Sequence, residues 1–367
     1  MLFCLLISFV VAFGTSLVCI ARGRRHAANY DDAKPQRFHL GDVPRVGGAA
    51  VLAGLVSAWV VVAASEFFSM GLNTRVSLYV AGAWLVAALP GVLAGLYEDV
   101  TQTLSVKYRL ALTGLSAALA CGLLGLTISR VGISGLDNWL GMYPWLGVAL
   151  AFLAIAGLPH AFNLIDGYNG LAGTVSLLIG MAVVHVALQL GDRELAAMVV
   201  CLVGATAGFL ALNYPRGLIF AGDGGAYLWG VVIAMACIQL VQRHPQVSPW
   251  FPVLLLIYPV WETLFSIYRK LARGGSPGMA DALHFHQLIY RRVVRSVFHD
   301  SASRRMLMRN NRTSPYLWGV TLLSVAPAVL FWNRTPILMA LCLLFVVSYV
   351  GAYLMIVRFK VQRWLRR

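Results

Sequence analysis

The feature that most constrains this chain is a series of apolar runs, each long enough to cross a lipid bilayer as a helix. A span takes about 20 apolar helical residues. Only helices satisfy their own backbone groups in lipid, and the short alternating segments of a membrane β-barrel are absent. We therefore predict eleven transmembrane helices, at residues 2–20, 47–68, 76–96, 108–128, 144–161, 170–190, 195–212, 225–242, 250–268, 315–331 and 336–357.

The composition leaves little of the chain for a soluble domain. Hydrophobic residues make up 59% of the 367 residues and charged residues only 12%, which is about half the charged share of a soluble domain. The predicted fold class is therefore all-α and polytopic, with residues 1–367 forming a single transmembrane domain. The six cysteines lie in apolar stretches without a CxxC pair, so neither a disulfide nor a zinc site is expected.

The positions of Lys and Arg predict the orientation of the helices. If the N-terminus is periplasmic, 24 of the 29 Lys and Arg fall in inner segments, and basic residues accumulate on the cytoplasmic side. The odd number of spans then places the C-terminus and a long loop at 269–314 in the cytoplasm. Basic residues follow the first run instead of preceding it, so we expect a retained helix there, not a signal peptide.

The excess of positive charge does not predict nucleic-acid binding. The net charge is +15, but no basic patch is interleaved with aromatic residues. Anchoring and orienting loops explain the charge better. The carboxylates carry a separate signal, because nine Asp and Glu fall in inner segments and only four at the outer face.

The first polar motif joins the third and fourth runs. Glu98 and Asp99 end the third run, and Lys107 and Arg109 begin the fourth. Carboxylate oxygens hold Mg²⁺, and Lys and Arg hold phosphate oxygens. Taken alone, the pattern favours a solvated acidic loop with basic membrane anchors over such a site.

The second motif follows the fifth run. Asn163 and Asp166 are three residues apart and share one face of a helix, and an uncompensated carboxylate at a span end is costly. Helix capping is the alternative, since Asn, Asp and Gly favour helix ends. The segment from Asn163 to Gly170, which includes Asn169, holds more of these residues than a cap needs, which favours a functional site.

The third motif, FAGDGG at residues 220–225, precedes the eighth run. Gly222 and its neighbours would expose backbone N–H groups at a helix N-terminus, where phosphate binds well. Asp223 could hold a metal ion or cap the helix. The motif is not a P-loop, because the Lys-Ser/Thr ending is missing.

The fourth motif lies in the predicted long inner loop. His284 and His286 are followed by Arg291, Arg292 and Arg295. The two histidines are too few for a zinc site, whereas His beside Arg suits an anionic diphosphate. Binding to lipid head groups is the alternative.

A smaller basic segment precedes the second run, where Arg45 lies between Pro44 and the pair Gly47-Gly48. Arg45 could meet a lipid phosphate or anchor the helix, and the sequence favours neither. Together, the motifs place acidic, glycine-rich and His/Arg segments on one membrane face. They predict a Mg²⁺-dependent site for two phosphorylated substrates, one soluble and one lipid-borne.

In this order and topology, the motifs resemble those of the polyprenyl-phosphate N-acetylhexosamine-1-phosphate transferases. The resemblance runs from about Pro35 to Arg292, and its specific parts are FNLIDGYNGLAG, FAGDGG and DALHFHQLIYRR. It implies transfer of a sugar-1-phosphate from a UDP-N-acetylhexosamine to undecaprenyl phosphate, with release of UMP, in the bacterial inner membrane. It also implies Mg²⁺ as the cofactor, with Mn²⁺ as the alternative.

The resemblance also implies roles for individual residues. Asp223 matches the family's Mg²⁺-associated aspartate, and His284 and His286 match its nucleotide-sugar motif. Glu98 and Asp99 match paired aspartates, one of which is proposed to act on the lipid phosphate. Because the first of them is Glu here, we weight Asp99 above Glu98 as base and second metal ligand. Asp166 is the third catalytic candidate; the substrate-binding candidates are Asn163, Lys107, Arg109, Asn169, His284, His286, Arg291, Arg292, Arg45 and Gly222.

Other functions are compatible with these motifs. The same reaction with UDP-QuiNAc or UDP-FucNAc would use the same motifs. A membrane transporter would instead carry polar residues near mid-span. The sequence does not separate O-antigen, lipopolysaccharide, exopolysaccharide and cell-wall pathways, and it leaves the oligomeric state open, a homodimer included.

Overall fold

The computed structural model describes residues 1–27, 43–68, 74–274, 283–294 and 302–358, and within these ranges every regular element is a helix. A π-helical turn at Ile289–Val293 follows the shortest helix. The helices are α1 (Leu2–Ala27), α2 (Gly47–Phe67), α3 (Leu78–Thr101), α4 (Val106–Leu124), α5 (Ser134–Met142), α6 (Pro144–Ile165), α7 (Leu171–Gln189), α8 (Arg193–Asn213), α9 (Gly222–Arg243), α10 (Trp250–Leu255), α11 (Ile257–Ala272), α12 (Phe285–Leu288), α13 (Ala302–Leu330) and α14 (Thr335–Val357).

The helices confirm an all-α, multi-pass membrane fold. In the described part of the chain, nine of them are long and apolar enough to cross a bilayer: α1, α2, α3, α6, α7, α8, α9, α13 and α14. Helix α4 and the broken pair α10–α11 occupy the two other predicted spans. The count of eleven and the orientation of the termini stay predictions.

The predicted long loop at 269–314 contains helical structure wherever it is described. Helix α11 continues to Ala272, α12 and the π-helical turn cover Phe285–Val293, and α13 begins at Ala302. Arg295 lies outside the described residues.

Helix α9 occupies the centre of the bundle, and glycines bring its first turn into direct contact with its neighbours. It packs against α2, α3 and α6, and 94% of its apolar stretch is buried inside the bundle. A Cβ atom at Gly48 of α2 would collide with the backbone of Gly225, and one at Gly95 of α3 with the backbone of Gly224. The backbones of α2 and α3 therefore lie directly on the start of α9.

The segment before α2 is also tied to the segment before α9. The Phe220 N–H donates to the Pro44 carbonyl at 2.9 Å, the Gly47 N–H to the Phe220 carbonyl at 2.8 Å, and the Gly48 N–H to the Ala221 carbonyl at 2.8 Å. These bonds hold Arg45 beside the glycine-rich start of α9.

Candidate active site

Asp223 lies at the centre of a polar cluster in the first turn of α9. Its Oδ1 accepts a hydrogen bond from Asn163 Nδ2 at 2.7 Å, and its Oδ2 accepts one from Arg109 Nη1 at 2.8 Å. The Arg109 and Asp223 side chains are 22% and 20% exposed, so the pair is reachable from outside the fold. Residues from the start of α4, the end of α6 and the start of α9 thus meet at one end of the bundle, which we call the site end.

Asp99 is more deeply buried than Asp223, and its carboxylate bonds to backbone groups. It is only 5% exposed; its Oδ1 accepts the Asp223 N–H at 2.7 Å, and its Oδ2 accepts the Gly224 N–H at 2.9 Å. These are two of the N–H groups that the sequence predicts as phosphate donors. Asp99 therefore supplies the acceptors that the first turn of α9 lacks within the helix.

The glycine at 222 is required by both backbone and space. Its φ is +70°, a conformation that L side chains rarely adopt. A Cβ atom there would also collide with the Asp99 carboxylate and the Arg45 carbonyl. The role visible for Gly222 is therefore to let α9 begin directly against Asp99.

Glu98 and Asp99 are adjacent in sequence but do not form a pair in space. Successive helical residues differ by about 100° around the axis, so the two side chains point to different neighbours. Glu98 Oε2 accepts the Leu104 N–H at 2.7 Å and closes the turn between α3 and α4. The Lys107 side chain on the next helix is exposed.

Asp166 lies directly after α6, close to Asp223. Burial and the Asp223 carboxylate raise the pKa of Asp166 to about 7, while Arg45 acts in the opposite direction. A carboxyl group that is largely withdrawn from water and lies beside a second carboxylate marks a place where a cation would be favourable. Asp166 and Asp223 are thus the carboxylates best arranged to share a positive ligand.

Metal binding at this place would depend on more than side chains. Within the described ranges, no group of three or more His, Cys, Asp and Glu is arranged to hold a metal ion. Mg²⁺ usually needs no such cage, because one or two carboxylates plus substrate phosphates and water complete its shell. The donor set of Asp223 and Asp166 fits that mode, because the Asp223 side chain is partly exposed, whereas Asp99 is buried against the backbone N–H groups of α9.

Asn169 is buried and joins its loop to α13. Its backbone N–H donates to Asn310 Oδ1 at 2.8 Å, its Nδ2 donates to Asn311 Oδ1 at 2.9 Å, and its carbonyl accepts from Ser314 Oγ at 2.6 Å. These partners on α13 were not among the predicted site residues. The Asn-Asn pair inside a basic helical segment was the available signal.

The two histidines lie next to the Asp166 loop. His284 precedes α12 in an extended conformation and His286 lies in its first turn; their rings are parallel, with centroids 5.3 Å apart. The His286 ring meets the edge of Tyr168 at 5.7 Å, two residues after Asp166. The structure therefore brings the second and fourth motifs together.

The two arginines after the histidines have separate surroundings. Arg292 Nη1 donates to the carbonyls of Ile356 at 2.9 Å and Val357 at 2.7 Å, which caps the C-terminal end of α14. Arg291 is exposed. The sequence did not mark Glu262, a buried acid on α11 that bonds to the histidine segment, because nothing around it forms a motif.

Together these features define a multi-pass membrane protein with carboxylates, an arginine and an amide converging at one end of its helix bundle. A family model described as glycosyl transferase family 4 matches residues 81–241. This match confirms the resemblance predicted from the motifs. The matched range contains Asp99, Arg109, Asp166 and Asp223 but ends before the histidines.

Three curated bacterial relatives show how far the similarity extends. The probable undecaprenyl-phosphate N-acetylglucosaminyl 1-phosphate transferase of Bacillus subtilis is 28% identical over 287 residues, covering 77% of this chain and 76% of that protein. The Escherichia coli K12 undecaprenyl-phosphate alpha-N-acetylglucosaminyl 1-phosphate transferase is 28% identical, covering 70% and 67%. The Mycobacterium leprae decaprenyl-phosphate N-acetylglucosaminephosphotransferase is 27% identical, covering 79% and 78%.

Proposed function

We propose that this protein transfers an N-acetylhexosamine-1-phosphate from a UDP-sugar to undecaprenyl phosphate and releases UMP. The observation that carries the proposal is the convergence of Asp223, Asp166, Asn163 and Arg109 at one end of a membrane bundle. Such a place suits a lipid-borne and a water-soluble phosphate at once. The names of the relatives, which print a polyprenyl phosphate and an N-acetylglucosamine phosphate transfer, support it.

The proposed reaction forms one bond and breaks one. An oxygen of the polyprenyl phosphate attacks the β-phosphorus of the UDP-sugar, and the bond to the bridging oxygen of UMP breaks. The attacking phosphate, the transferred phosphoryl group and the leaving UMP are all anionic. Charge neutralisation and positioning therefore supply most of the catalysis. A two-step route through an aspartyl intermediate is the alternative.

The residues divide into distinct tasks. We assign Asp223 and Asp166 to Mg²⁺, or to Mn²⁺ in its place; the bound cation would neutralise charge on the diphosphate. Arg109 is placed to exchange its contact with Asp223 for a phosphate oxygen. As a ligand of that cation, Asp166 would also orient the lipid phosphate for attack. Asp99 is assigned to the α9 N-terminus.

The location follows from the predicted orientation. We propose the bacterial inner membrane with the site end at the cytoplasmic face, where nucleotide-sugars occur. The product would begin a lipid-linked surface glycan, such as O-antigen, lipopolysaccharide, exopolysaccharide or a cell-wall polymer. The described site carboxylates gather at helix ends, which favours an enzyme over a transporter with a mid-span site.

The identity of the transferred sugar is tested by comparing several UDP-sugars. The purified protein in detergent would receive undecaprenyl phosphate, Mg²⁺ and one UDP-sugar at a time: UDP-GlcNAc, UDP-QuiNAc or UDP-FucNAc. We expect UMP release that depends on the lipid and is fastest with UDP-GlcNAc. Release with none of the three would contradict the proposed function, and a faster rate with another sugar would correct its substrate.

A further inference from the structure

Glu262 is a buried acid outside the polar cluster around Asp223. It lies on α11, is 1% exposed and is the only acidic residue in α10 and α11. A buried carboxylate is costly unless its oxygens are paired and hydrogen-bonded. Its partners therefore show what it stabilises.

Those partners lie on the histidine segment and on α14. Glu262 Oε1 accepts the Phe285 N–H at 2.9 Å and lies 3.3 Å from His284 Nδ1. Its Oε2 accepts the Tyr349 hydroxyl at 2.5 Å. One carboxylate thus contacts both the backbone and the His284 ring at the start of α12.

The contact with His284 needs the negative charge, whereas the backbone contact does not. A neutral glutamine could still accept the Phe285 N–H through its amide oxygen. The carboxylate adds a negative charge beside Nδ1, which favours a proton on that atom. The imidazole then keeps Nε2, on the opposite edge, for another ligand.

The contacts continue from His284 to the predicted site. The His284 ring stacks on His286, whose ring meets Tyr168, and Tyr168 stacks on Tyr290 at 5.4 Å. Tyr168 follows Asp166 by two residues. Ring contacts therefore connect His284 to the loop that carries Asp166.

We propose that Glu262 is a positioning residue for His284. Its carboxylate holds Nδ1 and directs Nε2 toward the diphosphate of the nucleotide-sugar, which His284 contacts. This inference rests on the proposed function, since it assigns the histidine segment to the UDP-sugar and not to the lipid phosphate.

The test determines which substrate's KM depends on the charge of Glu262. Glu262→Gln, His284→Gln and the double variant would be compared with the unchanged protein by UMP release, with the two substrates varied separately. We expect Glu262→Gln to raise the KM for the UDP-sugar about tenfold, the scale seen when partners of a functional histidine are removed. The KM for undecaprenyl phosphate should stay within about twofold, and the double variant should be no worse than His284→Gln.

A matched control is Glu194→Gln, which removes an acid that pairs with Arg243 at the other end of the bundle and should leave both KM values unchanged. Unchanged kinetics in Glu262→Gln would overturn the inference, as would equal effects on both substrates or effects that add fully in the double variant. Absence of UMP release by the unchanged protein would instead defeat the proposed function.

A second variant keeps the test decisive if Glu262→Gln does not fold. Tyr349→Phe removes one hydrogen bond from Oε2 and leaves the contacts of Oε1 in place. We expect a rise of about threefold in the KM for the UDP-sugar, because a single hydrogen bond contributes modestly. No change in that KM, with normal folding, would overturn the inference.

Discussion

The first turns of α8 and α9 each carry an acidic residue paired with an arginine, yet the two ends of the bundle use these pairs differently. At the opposite end of the bundle, where α8 begins and α9 ends and which we call the far end, Glu194 lies 2.6 Å from Arg243. Asp192 lies 3.0 Å from His244 and caps α8 by accepting the Leu195 N–H. There, acids face bases. At the site end, Asp223 meets Arg109 but also faces Asp166.

The difference separates charged residues that stabilise the fold from charged residues that the fold alone does not account for. Ion pairs at helix ends stabilise the structure or cost little free energy. Structural stability alone therefore accounts for the charged residues at the far end. At the site end, burial and the neighbouring Asp223 carboxylate both raise the pKa of Asp166, and Arg45 offsets them only in part. A bound cation would relieve the repulsion between Asp166 and Asp223, which is why we place the proposed metal site at the site end.

The strongest test compares the two acids of the first turns. Asp223→Asn should lower the rate of UMP release by about 10²-fold to 10³-fold, the scale for losing one preorganised charge contact. Glu194→Gln should leave the rate within about twofold, because it removes only an ion pair at the far end. Both rates would be measured in detergent with Mg²⁺, after each variant is shown to insert into membranes.

Near-normal release by Asp223→Asn would remove Asp223 from the site. Equal losses in the two variants would mean that the ends are not functionally different, and the comparison would fail.

Two glycines with positive φ sharpen the comparison at the level of the backbone. Gly222 at the site end has φ +70° and no room for a side chain, whereas Gly191 at the far end has φ +74° and nothing within 4 Å of an added Cβ. Ala at either position costs about 1–2 kcal/mol of backbone strain. Gly222→Ala should cost more and lose nearly all activity, because the methyl group must displace Asp99.

Thermal unfolding and UMP release of the two alanine variants would check this prediction. If Gly222→Ala loses no more stability than Gly191→Ala, the close approach of Asp99 to Gly222 is wrong.

The amino-acid sequence predicts much of this architecture because the bilayer constrains it strongly. Apolar runs must be helices in lipid, and polar motifs at alternate run ends must then meet on one face. That reasoning places Asp99, Asn163, Asp166 and Asp223 near one another without any structure, and the helix ends in the bundle agree with it.

What the sequence could not show is which partner each polar atom meets. The adjacent carboxylates of Glu98 and Asp99 suggest that the two act together at one place. Because they point in different directions from the helix, Glu98 bonds to Leu104 and Asp99 bonds to the start of α9. Asn169 has the composition of a ligand-binding residue, yet its partners on α13 lie about 140 positions away. Such long-range contacts depend on packing, which a residue pattern does not encode.

The smallest expected effect separates a structural from a chemical role for Asp99. Asp99 and Asp192 both accept N–H groups at helix starts, so Asp99→Asn and Asp192→Asn are matched cap variants at opposite ends. In Asp99→Asn the new amide group would face an N–H, so we expect a loss of about 1–2 kcal/mol in stability. The melting temperature in detergent should fall by a few degrees and the activity about tenfold.

The relation between stability and activity then decides the role. Asp192→Asn should lower the melting temperature by a similar or smaller amount and leave UMP release unchanged, since α8 starts far from Asp223. If Asp99→Asn instead abolished release without changing the melting temperature, Asp99 would act on the substrates, as its position beside Glu98 first indicated. A joint fall places its effect in the geometry of the first turn of α9, because the N–H of Asp223 itself is one of the two groups that Asp99 holds.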